Sequence, residues 1–128
     1  ESGRVVELDT LVLAIGFDAM TGALNRIDIT GRNGVKMKDT WADGPLTYFG
    51  LMVAGFPNMF VIAGPQSPSV FTNMVTSIEQ HVNWVINTIK HLGETGTATI
   101  EASKAAQDKW VQHVGEVAEP SLLDDANS

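Results

Sequence analysis

The side chains that could do acid–base or metal chemistry are few. His81, His91 and His113 are the only histidines in the 128 residues. No two of them stand four residues apart and no HExxH pattern occurs, so their spacing builds no zinc site, and they read as partly exposed helix histidines. Ser67 and Ser69 could be nucleophiles, but there is no GxSxG elbow and no local base to activate them. Asp124-Asp125 is the one adjacent carboxylate pair near the end of the chain and reads as solvated charge. There are no cysteines, which excludes disulfides, thiolate catalysis and zinc–thiolate sites. The residues therefore assign no catalytic side chain and no metal site.

What remains is backbone chemistry at two glycine-marked turns. "LDTLVLAIGF" (8–17) runs an apolar segment into Ala14-Ile15-Gly16, and "NMFVIAGPQSPSVFTNM" (58–74) runs another into Ala63-Gly64-Pro65. Small residues at such points let a backbone approach a ligand. After the second turn a helix begins near Asn73-Met74, with free N–H groups and the positive end of its dipole at the crevice. Either this is a backbone site for an anion or an electron-rich oxygen, or it is a plain strand–loop–helix connection.

The elements that would position these turns are mixed. Val5–Leu8 and Thr10–Ile15 read as strand, the second apolar on both faces as in a covered central strand. Arg26–Thr30 alternates like a half-buried strand. Gly31-Arg32-Asn33-Gly34 is a hairpin turn, with Val35–Met37 returning. Thr47–Val53 and Met59–Ala63 are further strands. From about Thr72 to Leu92 the period changes to helical, with Ile78, Val82, Val85, Ile86 and Ile89 on the inward stripe and a glycine stop at Gly93 or Gly96. Ser103 caps a second helix through about Val117, with Ala106, Trp110, Val114 and Val117 inward and Pro120 beyond. Trp84 and Trp110 read as core residues, while Trp41 falls in a turn. The fold class is thus α/β: short strands and a β-hairpin followed by two helices, a piece of a larger open sheet with its ligand at the strand ends.

Composition narrows the partners. Hydrophobic residues make up 44% and charged residues 18%, as in a globular chain, and the formal net charge is −7. With no basic stripe, nucleic acid and anionic membrane are not expected partners. No apolar run approaches the length of a membrane span, and Glu1-Ser2-Gly3-Arg4 does not open a signal peptide. A cytoplasmic location is expected.

Three segments, "LDTLVLAIGFDAMTG", "PLTYFGLMVAGFPNMFVIAGPQSPSVFTNM" and "SIEQHVNWVINTI", together resemble the C-terminal part of type I Baeyer–Villiger monooxygenases, flavoproteins of the phenylacetone, cyclohexanone and steroid monooxygenase kind. The similarity continues through "DKWVQHVGEVAEPSLL" and keeps family order. It implies a Rossmann-like three-layer parent fold that carries FAD, uses NADPH and O2, and inserts one oxygen atom into a ketone to give an ester or lactone. It implies that Ala14 and Gly16 lie near the FAD domain junction, with Ile15 where the family has Thr. Asn73 and Met74 would offer backbone N–H groups to the pyrimidine end of the flavin. Pro68, Ser69, Val70 and Phe71 would line the substrate pocket.

The family's GxGxxG loops, its FxGxxxHxxxWP signature and its catalytic arginine do not occur in these residues. Residues 1–128 are therefore expected to be the C-terminal segment of an FAD-binding domain, inactive alone, without bound FAD or NADP, and self-associating through exposed edges and apolar faces. Two alternatives stay open: part of an N- or S-oxygenating flavin monooxygenase, or a non-catalytic self-associating module.

Overall fold

A computed structural model describes residues 5, 7, 9, 10, 21–67 and 73–120. The strands expected over 5–8 and 10–15, with Ala14 and Gly16, lie wholly or mostly outside these residues, as do Pro68, Ser69, Val70 and Phe71. The described elements are α1 (Gly22–Asn25), a 3-10 turn (Arg32–Gly34), α2 (Met37–Thr40), α3 (Met74–Thr95) and α4 (Lys104–Ala118).

The two long helices end where local chemistry dictates. Asn73 caps α3, its side-chain oxygen accepting from Val75 N–H at 3.1 Å. Gly96 closes that helix in the left-handed conformation at φ 64°. Ser103 caps α4 by accepting from Ala106 N–H at 3.2 Å.

The expected β-hairpin and strands are corrected. No sheet forms among the described residues; the extended pairing amounts to two isolated antiparallel bridges, Thr30–Lys36 and Tyr48–Met52. The Asn33-Gly34 turn does reverse the chain, with Asn33 at φ 57° and Gly31 N–H donating to Val35 O at 2.8 Å. Pairing stops there because Met37 enters α2 instead of a return strand. One helical turn puts Met37 and Trp41, four apart, on the same face. Both are buried with Val53 and Phe56, and Leu24, Ile29 and Met59 pack around them. Trp41 is therefore the buried tryptophan, its Nε1–H donating to Leu46 O at 3.1 Å.

Residues 41–67 contain no helix or strand, yet they are the hub of the molecule. Leu51 and Met52 form a second core with Ala102, and Tyr48, Phe60, Val85 and Ile100 pack against it. Asn58, at φ 58°, substitutes for a strand partner. It bonds residues 98–100 by three contacts: its N–H to Ile100 O at 2.9 Å, its Nδ2 to Ala98 O at 3.1 Å, and Ile100 N–H to its Oδ1 at 3.0 Å.

Each long helix meets the hub through a buried polar side chain. On α4 it is Gln107, whose Oε1 accepts from Ala54 N–H at 2.8 Å. On α3 it is His81, whose Nδ1 accepts from Ala63 N–H at 3.0 Å. The inward face of α3 is therefore Ser77, His81, Val85, Thr88 and Leu92. Of the expected inward stripe Val85 packs inward, but the rest is rotated out: Ile78, Val82, Ile86 and Ile89 are 39–55% exposed. Val117 of α4 is likewise exposed, and Trp84 is only partly covered.

Candidate functional site

The candidate site is the turn Ala63–Ser67 and the start of α3 that follows it. Among the described residues, three of the five non-glycine residues with positive φ lie in or against this turn: Phe49 at 56°, Ala63 at 51° and Gln66 at 64°. An L-residue in that region costs about 1–2 kcal/mol, so the surroundings must hold it there.

They do so bond by bond. Ala63 N–H donates to His81 Nδ1. Gly64 N–H donates to Gly50 O at 3.1 Å. Pro65 O accepts from Thr47 Oγ1 at 2.7 Å, and Gln66 O accepts from Trp110 Nε1 at 3.2 Å. The Gln66 side chain returns the contact by accepting Thr47 N–H at 3.0 Å. Ser67 Oγ donates to Gly64 O at 2.9 Å and so is engaged in holding the turn.

Gly64 is small for a different reason from the one the sequence suggested. A Cβ placed on it would stand 2.6 Å from Gly50 O, so the close approach there is between two parts of the chain. Gly50 is the counterpart: at φ 66° it carries the conformation that glycine favours, and a Cβ on it would stand 2.8 Å from Gly64 O.

The turn separates two hollows. One, about 490 Å³, is lined by Tyr48, Phe49, Trp84 and Trp110 with His81 and Ser67. Trp84 and Trp110 are thus cavity walls, Trp110 lying 4.2 Å from Phe49 between ring centroids and Trp84 lying 6.1 Å from Phe60. The other, about 410 Å³, runs along residues 59–65 opposite Leu24 and Ile29.

Asn73 and Met74 stand together at the start of α3. The Asn73 side chain is committed to Val75 N–H. Met74 is 42% exposed, and its N–H makes no hydrogen bond with a described residue. The described residues therefore fit an electron-rich ligand edge at this point, where first-turn amides and the helix dipole act together.

His81 belongs to the site, although its sequence spacing alone predicts a partly exposed helix histidine. It is 6% exposed, and burial pushes its imidazole below the ordinary histidine value of 6.5. The available signal was its spacing: Ser77, His81, Val85 and Thr88 form a helical stripe of mixed polarity beside the apolar one. His91 is exposed, and His113 lies on α4 with its ring 5.7 Å from Trp110. No group of three or more His, Asp or Glu that could hold a metal occurs among the described residues.

Comparison with known proteins adds what the geometry does not supply. No family model matches the chain. It is 45% identical over 128 residues to cyclohexanone 1,2-monooxygenase of an Acinetobacter species, covering 100% of this chain and 23% of that protein. It is 37% identical over 123 residues to phenazine N-monooxygenase PhzNO1 of Lysobacter antibioticus, covering 96% of this chain and 22% of that protein. Among solved structures, oxidized steroid monooxygenase bound to NADP superposes with a TM-score of 0.84 at 51% identity, over 98% of this chain and 24% of that one. The chain thus spans about a quarter of the length of the relatives it matches.

Proposed function

Since the chain belongs to the Baeyer–Villiger monooxygenase family, we propose that it is the C-terminal segment of the FAD-binding domain of such an enzyme, a cytoplasmic NADPH- and FAD-dependent ketone oxygenase. The observation that carries the reading is the match to cyclohexanone 1,2-monooxygenase over all 128 residues of this chain, joined to a turn, Ala63–Ser67, held by hydrogen bonds ahead of the Asn73-capped helix. The parent fold is the Rossmann-like α/β architecture, to which these residues contribute the turn and two helices.

In that enzyme the bound flavin supplies the oxygen-transfer chemistry, with NADPH as reductant and O2 and a ketone as substrates. The work of these residues is placement. Backbone N–H groups of Met74 and Asn73 would hold the pyrimidine edge of the flavin, where they would offset charge that builds on reduction. By the family resemblance alone, Ala14 and Gly16 would belong near the domain junction, and Pro68, Ser69, Val70 and Phe71 to one wall of the ketone pocket. The turn Ala63–Ser67 sets where that wall begins.

The residues supply no dinucleotide-binding glycine loop and no arginine partner for the flavin, so the isolated chain neither turns over nor holds FAD. A stoichiometric yellow complex on titration with FAD would overturn that. The exposed stripe of α3 is the face that the rest of the enzyme covers, and in its absence a second copy takes that place. The test of the activity is NADPH oxidation by the intact protein. Stimulation by a ketone with ester or lactone formation is expected; absence of both with a panel of cyclic and linear ketones would sink it.

A second reading has its own support in the similarity to a phenazine N-monooxygenase. There the same scaffold would present the flavin to a ring nitrogen. N-oxide formation from a phenazine, without ester formation from ketones, would favour it.

A further inference from the structure

We propose that His81 is a positioning residue for the active-site turn: its neutral imidazole acts as the acceptor that keeps Ala63 in the left-handed conformation from which Gly64-Pro65 departs. The inference rests on the reading of Ala63–Ser67 as an active-site wall. Its geometric basis is separate. Ala63, a non-glycine residue, sits at φ 51°. Its N–H points at Nδ1 of His81 at 3.0 Å. His81 is the only buried residue of α3.

An accepting Nδ1 fixes the tautomer, with the proton on Nε2. His81 also lines the larger hollow. From the loop, Tyr48, Phe49, Leu51, Met52 and Ser67 face that space. From α3 come Ser77, Gln80 and Trp84, and from α4 Trp110. Among the described residues that line it, Tyr48 is the only other titratable group, and none is Asp, Glu, Lys or Arg. Protonation would place an Nδ1–H against the Ala63 N–H, two donors facing each other, and the bond would be lost.

The sign follows from burial. The folded-state imidazole titrates below the unfolded value of 6.5. The stabilisation is complete above that value and is lost as pH falls from it through the lowered folded value.

The test uses the intact enzyme with His81→Asn, which keeps an acceptor near the Nδ1 position but takes up no proton, and His81→Leu, which keeps bulk without the acceptor. As pH is lowered from about 7.5 to well below the ordinary histidine range, the wild-type ketone KM rises about threefold or more, while kcat changes by less than about twofold. His81→Asn abolishes that rise. His81→Leu shows the raised KM already at the higher pH. A His81→Asn enzyme with the wild-type acid limb, or a His81→Leu enzyme with wild-type KM at the higher pH, overturns the proposal. A spectroscopic arm is independent of turnover. In ¹⁵N-labelled intact protein the His81 imidazole carries its proton on Nε2, and the Ala63 amide shift titrates with it. An Ala63 amide that ignores His81 titration overturns the positioning role even if no ketone is a substrate, whereas failure of all ketones with a co-titrating Ala63 sinks only the ketone reading.

Discussion

Gly50 and Gly64 lie against each other with no room for a side chain on either. Gly64 N–H donates to Gly50 O at 3.1 Å, and a Cβ on either residue would press on the other's carbonyl. This contact locks the "TYFG" loop to the Ala63–Ser67 turn.

Gly64→Ala is therefore expected to destabilise the protein by about 1–3 kcal/mol, the range for overpacking. Gly50→Ala should cost more, because its φ of 66° adds about 1 kcal/mol of backbone strain. Urea denaturation followed by tryptophan fluorescence measures both. Equal stability of Gly50→Ala and wild type would contradict the contact.

Thr47 is fully buried, and its hydroxyl joins the two parts of the site: it donates to Pro65 O at 2.7 Å and accepts from Gly50 N–H at 3.0 Å. Thr47→Val keeps the shape and strands both partners, at an expected cost of about 1–3 kcal/mol. Thr47→Ser keeps the hydroxyl and should recover most of that loss. Thermal melts of the pair decide it, and a Val variant as stable as the Ser variant would mean the hydroxyl is unimportant.

Asn73→Ala removes the cap of α3 and should lower stability by about 1 kcal/mol. If the Met74 backbone, rather than the Asn73 side chain, meets the flavin, FAD affinity of the intact enzyme stays within about threefold of wild type. Calorimetry and an absorbance titration separate the two effects. A FAD loss far beyond the stability loss would assign the contact to the Asn73 side chain.

The exposed α3 stripe predicts association of the isolated chain. Replacing Ile78, Val82 and Ile86 with glutamine removes the apolar patch without touching the His81 face. Light scattering should show a wild-type oligomer and a smaller triple variant. A wild-type chain that stays monomeric at every concentration would remove the patch as an interface.

The parts legible in the sequence are those that local chemistry decides. Asn73, Gly96 and Ser103 mark helix ends because capping involves only neighbours within a few residues. The apolar side chains of Met59–Ala63 predict a strand, but its backbone partners are scattered. Val61 N–H goes to Leu51 O, Ala63 N–H to an imidazole and Gly64 N–H to Gly50 O. No periodicity encodes such a set. Apart from Val85, the inward face of α3 departs from the apolar pattern for a related reason. Burial there follows a hydrogen bond from Ala63, and the richer apolar stripe of Ile78, Val82, Ile86 and Ile89 is left outside. The sequence does not mark Trp41 as a core residue, because its burial depends on Met37 starting a helical turn where the pattern predicts a return strand.

No two of the helices pack extensively on each other among the described residues; α3 and α4 each reach the loop hub through a buried polar group, His81 on Ala63 and Gln107 on Ala54. Apolar contact tolerates sliding, but a hydrogen bond to one backbone amide does not. A shift of one residue along either helix would move the acceptor about 1.5 Å and swing it about 100° around the axis. The two side chains therefore act as indexing pins. They fix the rotation of each helix independently of how well its apolar surface is covered, and so the α3 stripe is already aimed when its partner surface arrives.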